Sequence, residues 1–355
     1  MMQIWWERVP NALSFINGIV DSLAQEKSIL LQHSALMPWP IEFASLVRET
    51  VQQQNASKVF TDIDTTDDPG AYLLQAFCKP EKRAQYRPSK NYAQFLAESD
   101  DIILHERYLW VKINSLASLD AWTTFVSDYI KYRGKDNVCA VFILDWQGTV
   151  HVPRKKGIVL HIYDTCIGEY DRIVFSMLSA SRLNTSNLMK NYLAELLSNV
   201  LGDDIELYAE CLQCPDSFSA DPYATILDLI SHSVRSDGTS FIFTKTQQEV
   251  IHSIWQAQIR TIYPLIEEFR ESFVKKHASE IEAQLPISTL YGEQYTDPKD
   301  VELGTLAYLA DNHNLSLSFE AYNQLKFFKN ARNALSHLAI LSLEDIQQVE
   351  QMMFS

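Results

Sequence analysis

Two hydrophobic periods alternate along the first 165 residues. Residues 12–23 place Leu13, Phe15, Ile16, Ile19, Val20 and Leu23 at helical spacing, whereas residues 28–34 (SILLQHS) read as a buried strand. The turn-forming loop 35–40 (ALMPWP) ends that run, and helical spacing returns over 41–53. Residues 58–64, 108–113, 138–145 and 157–163 read as further strands, with helices predicted from 71 and over 119–132. Strands separated by helices require crossovers, and so imply a mostly parallel sheet covered on both faces.

Beyond residue 169 the spacing is helical throughout: 170–181, 188–201, 222–233, a long stretch through 251–276, and three more helices to the end. Pro264 is expected to kink the long stretch or divide it. Residues 235–240 (RSDGTS) are polar and turn-prone, the best linker candidate. The expected organisation is an α/β N-terminal domain (1–168), a helical extension and linker (169–240), and an all-α helical bundle (241–355).

The balance of 30 Lys and Arg against 45 Asp and Glu gives −15. Residues 241–355 hold nine basic against fifteen acidic side chains. A broad basic groove for duplex nucleic acid is thereby excluded, and any such contact has to be local. The five cysteines, scattered and odd in number, suit reduced thiols and a cytoplasmic setting. Cys211 and Cys214 have half a zinc-knuckle spacing, but no second CxxC or HxxxH accompanies them, so no metal site is expected. No stretch approaches the ~20 apolar residues that span a bilayer.

The first strand, its loop and the following helix, with a later apolar strand ending at Asp145, resemble P-loop NTPases of the AAA+ and STAND type. In that resemblance residues 28–34 are the first strand and Asp145 the magnesium-site acid. The phosphate cradle is missing: residues 33–40 (HSALMPWP) contain no Gly and no Lys, and two prolines remove N–H donors. The resemblance therefore implies a degenerate scaffold that needs no nucleotide cofactor and is available to a protein partner. Lys79, Lys82, Arg83, Arg87 and Lys90, interleaved with Tyr86 and Tyr92, and the run 154–156 (RKK), are basic clusters in this acidic domain. They read either as solvated loops or as a patch for phosphate or an acidic partner.

The sharpest chemical signal lies at residues 327–341, FFKNARNALSHLAIL. On a helical wheel with Arg332 at 0°, Ser336 falls near about 40°, Lys329 near 60°, Asn333 near 100° and His337 near 140°. Phe328, Ala331, Leu335 and Leu338 form the opposite, apolar stripe. His is the side chain that exchanges protons near neutrality, and Arg offers a planar bidentate donor to phosphate. Attack by a ribose 2′-OH on its own phosphodiester needs a base, an acid and a cation. One helix supplies one His, so two facing copies would supply both proton-transfer groups.

The same run matches the R-N-x-x-x-H motif of HEPN domains, and the resemblance covers roughly residues 245–355. It implies a helical bundle that dimerises along the motif helix, with metal-independent endoribonuclease activity on RNA, often in bacterial toxin–antitoxin or antiviral defence systems. Arg332 would bind the scissile phosphate, His337 would handle protons and Asn333 would hold the geometry, with Lys329 and Ser336 on the same face. Non-catalytic members of the family act only in assembly, so a scaffold role stands beside the hydrolase. Glu267 and Arg270 have the spacing of an intrahelical pair; Glu267 or Glu302 could instead orient Arg332 across the bundle.

Overall fold

The computed structural model describes residues 1–64, 66–133, 138–150, 154–288 and 294–354. The chain divides into two compact units. The first holds Met1–Phe175 with Asp203–Glu206 and Val234–Thr239; the second holds Ser176–Gly202, Leu207–Ser233 and Ser240–Ser355.

The first unit is built on five parallel strands, β1 (Ser28–His33), β2 (Val59–Ile63), β3 (Arg107–Ile113), β4 (Val141–Gln147) and β5 (Ile158–Ile162), in the order β2-β3-β4-β1-β5. Each of the expected strands is present, within three residues of its expected ends. Leu31 pairs with Asp145 and Lys112 also pairs with Asp145, so the carboxyl ends of β1, β3 and β4 lie side by side. Ile29, Leu30 and Leu31 are all buried, as continuous apolar strands covered on both faces must be.

Helices α1 (Pro10–Ala24) and α2 (Pro40–Gln54) cover one face. There Phe15 stacks on Phe43, and Phe43 meets Trp6 and Trp110. Helix α3 (Leu116–Arg133) covers the other, where Trp122, Phe125 and Tyr129 pack around Phe142. Buried aromatic side chains of this size contribute roughly 1.5–3 kcal/mol each, which makes these two clusters the main cohesion of the unit.

The second unit is largely helical: α4 (Asn187–Val200), α5 (Pro222–His232), α6 (Gln247–Thr261), α7 (Tyr263–Lys276), α8 (Leu303–Asp311), α9 (Phe319–Ser336) and α10 (Leu343–Phe354). Pro264 sits in the first turn of α7, where its missing N–H costs nothing, and the long stretch is indeed two helices. Thr246 and Glu249 form a capping box at the start of α6. Phe269 of α7 stacks on Phe328 of α9 with ring centroids 4.0 Å apart. Two helices in this unit, Ile205–Cys211 (whose first two residues belong to the first unit) and Pro215–Ala220, were not expected from the apolar spacing.

One expectation is corrected. The helical wheel carries the motif helix through Leu338, but α9 ends at Ser336. Leu338 adopts φ +61 and is exposed, not part of the apolar stripe. The Ala339 N–H donates to the Ala334 carbonyl (2.9 Å) and the Leu338 N–H to the Leu335 carbonyl (3.3 Å), the six-to-one and five-to-two pair of a Schellman turn. Among the described residues, no helix is long and apolar enough to cross a membrane.

Candidate functional site

Arg332 lies just before the last turn of α9 and its guanidinium is partly exposed. One terminal nitrogen donates to Glu302, the residue just ahead of α8, and the other to Asn333 Oδ1 at 3.3 Å. The Nε–H is buried and has no acceptor. The carboxylate thus turns the guanidinium and Asn333 steadies it, which leaves a donor unmet.

Glu267 does not reach Arg332. It accepts from Arg270 Nε at 2.7 Å, and Arg270 NH1 in turn donates to the Lys299 carbonyl at 2.8 Å. The intrahelical pair therefore tethers the short turn Pro298–Asp300, which leads into Glu302. The expected alternatives resolve in favour of Glu302 as the direct partner.

His337 is the C-cap of α9, with φ −106 and ψ 24, and is exposed together with Ser336. Its N–H donates to the Asn333 carbonyl at 3.1 Å, which keeps the helical path one residue past the last turn. Lys329 is half-buried on the same helix; one turn earlier, Lys326 forms an ion pair with Asp311 at 2.5 Å. Hydrogen bonds from Lys326 and then Tyr322 hold the Asp311 carboxyl below its ordinary range.

Two α6 residues that the sequence reading did not single out for the site fix the segment that carries His337. Trp255 donates its indole N–H to the Leu335 carbonyl at 2.7 Å. The fully buried Gln258 amide donates to the Leu341 carbonyl (2.9 Å) and accepts from the Leu341 N–H (2.8 Å). Residues 336–340 are exposed between these two anchors. The one available signal was a glutamine beside Ile254 and Ala257 on the apolar face of α6.

In the first unit, the site suggested by the NTPase resemblance is filled by the protein's own groups. His33 Nδ1 lies 2.8 Å from the Ser34 carbonyl and Nε2 lies 2.9 Å from Asp145 Oδ1. The Ser34 carbonyl only accepts, so Nδ1 carries a proton, and Nε2 faces the Asp145 carboxyl group, which favours the imidazolium. Burial opposes that charge, but the hydrogen bond and charge of Asp145 outweigh it, and the His33 pKa is raised. The other Asp145 oxygen accepts from the Trp110 indole at 2.8 Å. Both carboxylate oxygens are thus engaged at the carboxyl edge of the sheet, beside a cavity of 550 Å³ also lined by Asp64, Lys112 and Asn114.

The loop ahead of α2 is likewise closed. Trp39, at φ +48, donates its N–H to Glu206 Oε1 at 2.6 Å, and the same carboxylate accepts from the Ser236 N–H (2.7 Å) and hydroxyl (2.9 Å). The buried Arg235 donates to Asp204 (2.5 Å) and to the Met37 carbonyl (3.2 Å). An internal carboxylate occupies the amino end of α2, the position at which a helix attracts an external anion.

The basic cluster is partly self-satisfied. Arg83 Nε donates to the Cys78 carbonyl, Arg87 to the Ala84 and Tyr86 carbonyls, and Lys90 pairs with Glu98. Lys79 is exposed and Lys82 half-buried, and Tyr86 stacks on Tyr92 with centroids 4.5 Å apart. Cys211 and Cys214 are free thiols, and among the described residues no His/Cys/Asp/Glu group is arranged to hold a metal.

No family profile matches the chain, and no curated protein does. Among solved structures, a chain from "Structure of Drosophila ORC bound to DNA" is similar over 97% of this chain and 85% of that one. Its identity is 12% and its TM-score 0.31, too slight a likeness to define a fold.

Proposed function

We propose that the second unit is a metal-independent endoribonuclease of HEPN type that works as a homodimer through its helical bundle, with the first unit as a degenerate, regulatory NTPase-like scaffold. The observation that carries this reading is the oriented, partly exposed Arg332 guanidinium just before the last turn of α9 and the exposed His337 capping that helix. In the proposed reaction Arg332 meets the scissile phosphate, His337 exchanges the proton of the 2′-OH or of the leaving oxygen, and the second copy supplies the other proton-transfer group. No metal is needed for that step. A bacterial defence or toxin role rests on the resemblance alone.

The engaged Asp145 and the internal carboxylate at α2 support the degenerate assignment of the first unit. A second reading, a non-catalytic scaffold, is favoured by the Arg332–Glu302 ion pair, which partly neutralises the cation that would meet phosphate.

The test is incubation of the purified protein with labelled total RNA in EDTA, beside Arg332→Ala and His337→Ala. The nuclease reading expects cleavage leaving cyclic-phosphate ends, lost in both variants. Cleavage that persists in the variants, or that needs a divalent metal, overturns it.

A further inference from the structure

We propose that His252 and Trp255 form a stacking platform for an unpaired nucleobase beside the scissile phosphate; this inference rests on the ribonuclease reading and names the form of RNA that the site accepts. The two residues are three apart on α6 and so share a face. Their rings stack with centroids 5.4 Å apart and planes within 23°. Trp255 is half-buried and its indole N–H is committed to the Leu335 carbonyl, two residues before His337. That bond places the indole at the carboxyl end of the motif helix and prevents its rotation.

His252 is exposed. One side of its imidazole is covered by the indole and the ring remains accessible from solvent. The protein thus holds an aromatic plane, backed by a second fixed aromatic, within a few residues of the proposed proton-transfer group. Within the packed unit such a stack serves no core: the buried apolar residues of α6 are Val250, Ile254 and Ala257. Aromatic faces of this kind are how proteins hold splayed-out bases of single-stranded RNA, because every base presents a π-face once it leaves the duplex. In a paired helix that face is covered by its neighbours. Stacking also suits an acidic protein, since it adds affinity without a broad positive field. A nucleotide anchored on His252 would deliver the adjoining phosphate toward Arg332 and His337 and would restrict cleavage to loops and ends.

Binding is measured in the His337→Ala background, by fluorescence anisotropy, with a short fluorescein-labelled single-stranded RNA and with a blunt-ended, fully paired duplex of the same composition. His252→Ala should weaken single-strand binding about tenfold and leave duplex binding unchanged, and His252→Tyr should retain single-strand binding. Trp255→Phe keeps a ring but loses the anchoring bond, and should remove the tryptophan quenching that accompanies single-strand binding. Equal single-strand affinity in His252→Ala and its parent overturns the platform. Cleavage without single-strand preference overturns only this inference; single-strand preference without cleavage overturns only the nuclease reading; absence of binding to either RNA overturns both.

Discussion

Glu302 holds the Arg332 guanidinium from across the helical unit, although thirty positions separate them in the chain. Both side chains are partly exposed, 26% for Arg332 and 46% for Glu302, so the pair contributes little to folding, about 1 kcal/mol at most. Its effect is on direction. Glu302→Gln should lower the unfolding free energy by less than about 1 kcal/mol in urea titrations, yet, on the proposed ribonuclease reading, slow RNA cleavage by about tenfold or more, because a misdirected guanidinium would no longer meet the phosphate. Arg332→Lys should behave like Arg332→Ala, since a point charge does not reproduce the planar fork. Cleavage at the parental rate in Glu302→Gln would show that the carboxylate has no orienting role.

The Gln258 amide replaces a backbone partner for Leu341 on both its N–H and its carbonyl. Substituting Leu at this buried site leaves two backbone groups without partners, and each unsatisfied group costs about 1–3 kcal/mol. Gln258→Leu should therefore destabilise the protein by about 2–6 kcal/mol. Hydrogen exchange should quicken at Leu341, whose amide loses its acceptor. An unchanged exchange rate at Leu341 would contradict this account.

What could be read ahead of the structure follows from how far each signal reaches. The central parallel strands are largely apolar runs and the edge strands β2 and β5 keep apolar positions at strand length, so all five were visible, and the helical spacing of α6 to α10 was equally local. The end of α9 was not visible, because Leu338 falls on the apolar stripe of the wheel and no Gly marks the turn. Pairings such as Glu302 with Arg332, or Glu206 with Arg235 and Trp39, join residues far apart in sequence and leave no local trace. Residues 235–240 looked like a solvated linker for that reason, yet Arg235 is buried between Asp204 and Glu206. The motif supplied Arg332, Asn333 and His337, but not the α6 residues that position their segment.

Leu338 at φ +61 occupies the position of the Schellman turn at which Gly is usual. A left-handed conformation costs a non-glycine residue roughly 1–2 kcal/mol, and the exposed Leu338 recovers little of that by burial. Leu338→Gly should raise stability by about 0.5–1 kcal/mol once the greater freedom of the unfolded glycine is deducted. Leu338→Val, β-branched and poorly tolerated in this conformation, should lower it. Thermal unfolding of the two variants checks the ordering; a less stable Leu338→Gly would mean that the side chain makes a contact worth more than the strain.

The His33–Asp145 pair makes stability depend on pH in a definite direction. Burial opposes the imidazolium, but the hydrogen bond and charge of Asp145, with the Ser34 carbonyl and the charge of Asp164, outweigh it and raise the folded-state pKa of His33 above 6.5. A raised value means that the folded state holds the proton more tightly than the unfolded chain. The stabilisation is fully present below the unfolded value of about 6.5 and is lost as pH climbs through the folded value. His105 and His161 act oppositely: burial lowers their pKa values, so they favour folding above the unfolded value and lose that as pH falls. The His33 contribution must therefore be isolated as a difference. The unfolding free energy of the parent minus that of His33→Gln should be largest at mildly acidic pH and shrink steadily through neutrality and above. A difference that stays flat, or grows with pH, would show that the folded His33–Asp145 pair holds no proton beyond those of the unfolded chain.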